Sequence, residues 1–216
     1  MDAEKNTNEW VDGFKIMYKR GWMAKIRLIY CNMAFFDNIS DPNAKTLDIG
    51  CGTGVFLSHL ISQGYKNARG IEPDRRLVPD RLKNHVDIGD ATKLPYEDES
   101  FDCVYFFNVL HHLNSLQEYQ AAVGEAERCL KKGGILIFLE PNNPWLFKLF
   151  FIISKLLAPV WKFADSYHDI LISERKAFTF FFENRSYFEN YPKKNGYKII
   201  KERWIIHQWL LVSQKQ

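Results

Sequence analysis

The stretch LDIGCGTGVFLSHLISQG, residues 47–64, constrains the fold of this 216-residue chain more than any other. A short apolar run carrying Asp48 passes through Gly50, Gly52 and Gly54 and becomes an apolar helix that stops at Gly64. Three glycines in five residues let a backbone turn sharply and let another group come very close to it. A strand that turns this way into a helix is the opening unit of a parallel α/β sheet with right-handed crossovers. The backbone N–H groups at the start of such a helix form a binding place for a ligand at the strand's carboxyl end.

The remaining segments carry the pattern forward. ARGIEPD, HVDIGDA, SFDCVYFFNVL and GILIFLEPNN read as four further strands, the fourth strand of the chain being apolar almost throughout, as a strand covered on both faces must be. SLQEYQAAVGEAERCLKKGG reads as a helix opened by a Ser115–Glu118 capping box, with lysines in its last turn and glycines at its end. RSYFENYPKKNGYKIIKERW and HQWLLVSQ give a helix, a turn and two last strands close enough to form an antiparallel hairpin. Residues 10–36 are helical in pattern, interrupted near Gly21, and residues 1–9 are polar and expected to fray. About sixty residues separate Glu140 from Lys198, twice what a crossover helix needs, so part of this span is an insertion. The insertion holds much of the chain's 15% aromatic content and begins with Asn143 as a helix cap and Pro144 in the first turn.

The glycine loop alone does not say what it binds. A dinucleotide fingerprint would be G-x-G-x-x-G, and here the third glycine falls one residue early. Glu72, about twenty residues on, suits ribose hydroxyls in either case. Asp48 suits an ammonium group and would repel a pyrophosphate, and Asp90-Ala91 after the third strand suits an adenine. The set LDIGCGTG, GDATKLPYEDESFDCVYFFNVLHHL (89–113) and LKKGGILIFLEPN (130–142) resembles the class I S-adenosylmethionine-dependent methyltransferases, in particular the small-molecule enzymes that share the first motif. The resemblance is continuous over residues 45–142 and returns more weakly in the last thirty.

What the resemblance implies is a Rossmann-like, doubly wound, seven-stranded α/β sheet, mostly parallel with an antiparallel C-terminal strand. It implies S-adenosyl-L-methionine as cofactor and S-adenosyl-L-homocysteine as product. Asp48 and the loop of Gly50, Cys51, Gly52 and Gly54 would hold the methionine moiety, and Glu72 the ribose. Pro73 and Asp74 would flank the adenine, Asp90 and Ala91 would receive its edge, and Asn108 and Val109 would lie beneath the sulfonium. Residues 1–40 would form a helical cap on the acceptor side, 41–142 the cofactor-binding core, 143–183 an aromatic helical insertion or lid, and 184–216 the end of the sheet. The expected acceptor is an apolar or aromatic small molecule, methylated on O, N or C, with lipid and glycan intermediates included.

Methyl transfer from a sulfonium is an in-line displacement, and positioning is the enzyme's main contribution. A base is needed only if the acceptor must lose a proton. His111 is the first candidate for that base, with His112 and the insertion's His168 behind it; each has a plain alternative as a packing or surface residue. Residues 144–163 hold fourteen apolar side chains, three lysines, two prolines and one serine. Three readings stand: a buried crossover helix, a roof over an acceptor pocket, and an interfacial helix making peripheral membrane contact. Lys148, Lys155 and Lys162 recur every seven residues and would form one narrow basic stripe, with Pro159 breaking the run.

Composition trims the alternatives. A net charge of +3, with acids and bases intermixed, lacks the basic stripe of a nucleic-acid binder, and no nucleic-acid partner is expected. An RNA or protein methyltransferase remains the second reading, and a cofactor-binding subunit without chemistry the third. No NPPY-type sequence follows the fourth strand, which argues against an exocyclic base amine as acceptor. Cys31, Cys51, Cys103 and Cys129 have no metal-ligand spacing, so no metal is expected, and reduced thiols with no signal-like N-terminal stretch fit the cytoplasm. The oligomeric state leaves no trace in the sequence.

Overall fold

Apolar runs bounded by glycine or acid become the strands of one sheet. The computed structural model describes Val11, Lys15, and residues 21–157, 162–205 and 208–216. Helix α1 (Gly21–Phe35) precedes β1 (Thr46–Ile49), α2 (Val55–Ser62) and β2 (Ala68–Glu72). Then come β3 (Val86–Ile88), β4 (Phe101–Phe107), α3 (Leu116–Cys129) and β5 (Leu130–Pro141). The insertion forms α4 (Pro144–Leu157) and α5 (Lys162–Glu183), and α6 (Arg185–Lys194), β6 (Lys198–Ile205) and β7 (Gln208–Gln214) end the chain. The helix expected before Gly21, the residues around Pro159 and the side chain of Lys162 lie outside the described residues.

The sheet has seven strands in the order β3-β2-β1-β4-β5-β7-β6, with β7 antiparallel to both neighbours and the other pairs parallel. This is the expected fold. Strand order reverses between β1 and β4, and the crevice at the carboxyl ends of such a pair is where ligands bind. β4 shows why the sheet is covered on both faces. Cys103, Tyr105 and Phe107 point into a core shared with Phe35 of α1 and Phe56, Leu57 and Leu60 of α2. Val104 and Phe106 point into another, shared with Tyr119, Val123 and Ala126 of α3 and with Phe181, Phe188 and Trp209.

Helix α3 starts as its sequence demands: the Ser115 hydroxyl accepts from the Glu118 backbone N–H at 3.1 Å. The Glu118 carboxylate closes the box one residue early, accepting from the Asn114 N–H at 2.8 Å. The helix ends sooner than its lysines suggest. Leu130 is fully buried and begins β5, and Lys131 reaches Asp102 at 2.7 Å instead of neutralising the helix end. Burial of one leucine and a cross-strand ion pair outweigh the helical preference of the lysines. The Asn143 cap forms as expected, its Oδ1 accepting from the N–H groups of Trp145 and Leu146, both at 3.0 Å.

Candidate active site

The loop after β1 is held by contacts that only glycine permits. Gly50 has φ +69°, and a Cβ there would lie 2.7 Å from Val109; Gly54 has φ +65°, and a Cβ would lie 2.1 Å from Leu82. Both positions lie in a backbone region unfavourable for other residues, and at Gly50 the branched Val109 adds a steric wall. The Gly52 N–H donates to Glu72 Oε2 at 2.8 Å, tying the loop to the end of β2. Glu72 Oε1 accepts from the Asp74 N–H at 3.1 Å. Burial raises the Glu72 pKa above the ordinary carboxylate value, against the pull of these two donors.

Above the loop lies a cavity of about 470 Å³. Gly50, Cys51, Gly52, Glu72, Pro73, Asp90, Ala91, Asn108 and Val109 all line it, so most of the residues singled out in the sequence come together. Asp48, Gly54 and Asp74 do not line it: Asp48 is buried in β1, Gly54 turns the loop into α2, and the Asp74 carboxylate is taken by Arg76 at 2.6 Å. Asp90 Oδ1 accepts from the backbone N–H and the hydroxyl of Thr92, at 2.7 and 2.6 Å, which orients the carboxylate and leaves Oδ2 for another donor. Asn108 adopts φ +58° where β4 turns away.

Asp48 sits beneath the loop, 2% exposed. Its Oδ1 is buried and finds no hydrogen-bond partner among the described residues. Burial pushes its pKa up to about 7, with Arg27 opposing and Glu72 adding to the rise. A buried carboxylate oxygen left without a donor is costly, by about 1–3 kcal/mol, and an ammonium or N–H group from a ligand would relieve it. The acids, the tight loop and this orphaned oxygen fit S-adenosylmethionine. Arg27 of α1 also lines the cavity and donates to the Phe107 carbonyl at 3.0 Å. In the sequence it is one of several cations within residues 10–36 and carries no local signal of this position.

The far end of the cavity meets the short helical turn Leu110–His112. His112 lines the cavity; His111 does not, being 3% exposed and turned toward β5. His111 Nδ1 lies 2.7 Å from Glu140 Oε2, and Glu140 Oε1 accepts from the N–H groups of Val109 and Leu110 at 2.7 and 2.8 Å. Burial drives the His111 pKa down to about 3 and the Glu140 pKa up to about 7. Burial of the ring and the neighbouring His111 also lower that of His112. Glu140 was legible in principle: it ends the strand beside β4, and residues at the carboxyl ends of adjacent parallel strands meet. Helix α5 covers the pair. Its Phe178 stacks on His111 at 4.5 Å, and Glu174 Oε1 lies 4.0 Å from His112 Nε2. His168 faces α4 instead, its Nδ1 3.0 Å from the Ser154 hydroxyl.

Helix α4 packs on α5 through Phe147, Phe151 and Ser154. Its other side is open: Trp145 is 66% and Leu156 71% exposed, with Ile152 and Ile153 beside them. Ser154 is its one buried residue, so the chain departs from the buried crossover helix. Among the described residues no helix is long and apolar enough to cross a membrane.

Residues 47–138 match the family model described as a methyltransferase domain. A demethylmenaquinone methyltransferase of Alkalihalophilus pseudofirmus is 30% identical over 145 residues, covering 59% of this chain and 60% of that protein. A sterol 24-C-methyltransferase of Gibberella zeae is 31% identical over 147 residues, covering 55% of this chain and 37% of that protein. The matches thus span between 37% and 60% of the length of these curated relatives. The crystal structure of an S-adenosylmethionine-dependent methyltransferase of Thermotoga maritima has the same fold, with a TM-score of 0.62 at 19% identity over 95% of this chain and 99% of that one. Residues 47–138 thus form a methyltransferase domain, and the strand order and glycine loop give the chain the fold of S-adenosylmethionine-dependent methyltransferases.

Proposed function

We propose that this chain transfers a methyl group to a hydrophobic or aromatic small molecule, including one carried in lipid. The observation that carries the reading is one continuous cavity bounded at one end by Glu72 and Asp90 and at the other by Asn108, His112 and Leu113. When bound, S-adenosylmethionine supplies a methyl group already activated on sulfur. Asp48 would accept from the cofactor's amino group, Glu72 from its ribose hydroxyls, and Asp90 Oδ2 from its adenine amino group. The loop N–H groups and Val109 would limit how deep the cofactor lies. Helix α5, with Phe178 and Phe181 packed over the histidine turn, excludes water from the acceptor side, and holding the two reactants in line there does most of the catalytic work.

The acceptor side is framed by aromatic and aliphatic groups, as small-molecule sites commonly are. The open face of α4 extends that apolar surface outward, with Lys148 and Lys155 exposed along its border and no acid in the helix. A lipid surface is the occupant that suits it, since it accepts Trp145 and the isoleucines and pairs with the lysines. A second copy of the chain would set these lysines against their own kind.

The test is parallel calorimetric titration with S-adenosylmethionine, S-adenosylhomocysteine and NAD. Micromolar binding of the first two without NAD is expected, followed by methylation in a screen of apolar phenols and lipid-borne acceptors. Binding of NAD alone would overturn the reading, and cofactor binding with no turnover on any acceptor would leave a binding subunit.

A further inference from the structure

We propose that His111, His112 and Glu174 bind one divalent transition-metal ion at the acceptor end of the cavity. Each of the three offers a ligand atom, and these atoms lie within 4.8 Å of one another. Metal–ligand bonds of about 2.0–2.2 Å set two ligands of one ion about 3–3.5 Å apart at angles of about 90–110°, so the three side chains close by about an ångström to hold one. The 4.0 Å between His112 Nε2 and Glu174 Oε1 is too long for a hydrogen bond, and rotation of either side chain brings the pair to the separation of two ligands on one ion.

The surroundings prepare the histidines for this work. Glu140 holds His111 by Nδ1, leaving Nε2 as the nitrogen with a lone pair to give. Glu140 is itself fixed by two backbone N–H groups, so it orients the ring as a carboxylate behind a metal-bound histidine does. Phe178 stacks on the other side of His111, at an interplanar angle of 15°, and the two imidazoles lie 4.1 Å apart.

Two imidazoles and one carboxylate suit zinc, iron(II), cobalt(II) or manganese(II), and leave positions open on the ion. His112 faces the cavity, so an acceptor's oxygen can reach those positions. This consequence rests on the methyl-transfer reading; metal binding does not. A phenolic or enolic hydroxyl bound there would form a metal–oxygen bond and lose its O–H bond, the proton going to water and the electron pair staying on oxygen. The site therefore selects oxygen among the O, N and C acceptors.

The experiment uses the full chain, stripped with chelator and titrated with cobalt(II) alone, followed by visible absorption and calorimetry. One equivalent is expected, with visible d–d bands. His112→Ala and Glu174→Gln should each weaken cobalt binding by at least a hundredfold, and Glu140→Gln by about 10–100-fold. S-adenosylmethionine affinity, measured on the same samples, should stay within about threefold in Glu174→Gln, which shows that the variant is folded. Absence of stoichiometric cobalt binding in the wild-type chain overturns the site without any variant, and so does undiminished binding in Glu174→Gln. A chain that binds S-adenosylmethionine and no cobalt loses the metal site and keeps the methyltransferase reading. A chain that binds cobalt and not S-adenosylmethionine does the reverse.

Discussion

The two ends of the cavity are built from different materials. At the end proposed to take the cofactor, the wall is made of the glycine loop's backbone and of Glu72 and Asp90, with Gly50 held against Val109. The end proposed to take the acceptor is surrounded by side chains from three distant segments: the turn after β4, the end of β5, and α5. The first kind of site is encoded by a local motif. The second exists only after Phe178, Phe181 and Phe188 have packed the insertion onto the sheet. Damage should therefore spread differently from the two ends.

The largest effect is expected from the packing of the acceptor end. Phe181 is fully buried and stacks on Phe188 at 4.9 Å. Phe181→Ala should cost about 3–5 kcal/mol of stability, read from the urea midpoint. The same variant, held folded at low temperature, should bind S-adenosylmethionine with little change while losing turnover. If cofactor affinity collapsed together with stability, the two ends would form one unit and the contrast would be false.

A substitution at the donor end should do the converse. Glu72→Ala removes the acid expected to receive the ribose hydroxyls and frees the Gly52 N–H. Cofactor affinity should fall at least tenfold, about 1.4 kcal/mol, in a calorimetric titration. Unchanged affinity would remove Glu72 from the assignment.

This contrast also explains what could be read from sequence. The sheet, its antiparallel end and the residues of the donor wall follow from features within a few positions of each other: a strand, its terminal acid, the next turn. Cys51 and Val109 fall where the motif puts them. His111, His112 and Glu140 were each visible, yet the bond from His111 to Glu140 spans 29 residues and depends on β4 lying beside β5. Glu174 gave no signal, because it is one acid in a helix whose docking is decided by phenylalanines. The end of α3 was misjudged for a related reason: local charge favoured helix through Lys132, and the distant partners Phe101 and Asp102 drew Leu130 and Lys131 into a strand.

Asp48 makes the contrast dependent on pH. Its pKa near 7 lies above the ordinary 3.8, so the cofactor-free folded chain holds a proton there that the unfolded chain has released. Stability from this group is therefore present at low pH and declines as pH rises from about 4 to 7. Cofactor binding runs the other way, since an ammonium partner needs the ionised carboxylate; Arg27 and Glu72 are the charged neighbours that set the balance. Affinity for S-adenosylmethionine should rise about tenfold per pH unit from pH 5 toward 7 and then level. In Asp48→Asn the affinity should be lower at pH 7.5 and its slope below 7 much shallower, while Glu140, also near 7, still contributes to the stability slope. An unaltered affinity slope in Asp48→Asn would mean that another group carries it.

The smallest effect on stability belongs to the outer face of α4, and there a silent variant is informative. Leu156 is 71% exposed and sits with Trp145 and Ile152 on the face turned away from α5. Leu156→Ser should shift folding stability by no more than about 0.5 kcal/mol, as for other surface positions. If that face meets lipid, the same change removes apolar area from a bilayer contact, and transfer of part of a leucine is worth about 1–2 kcal/mol. Co-sedimentation with vesicles rich in phosphatidylglycerol should then fall about tenfold, and exchange of Lys148 and Lys155 for glutamine should weaken it further and blunt its salt dependence. Equal binding by wild type and Leu156→Ser would remove the lipid contact and leave α4 as a support for α5, while a loss of folding stability of several kcal/mol would mean that this face is covered by another part of the protein.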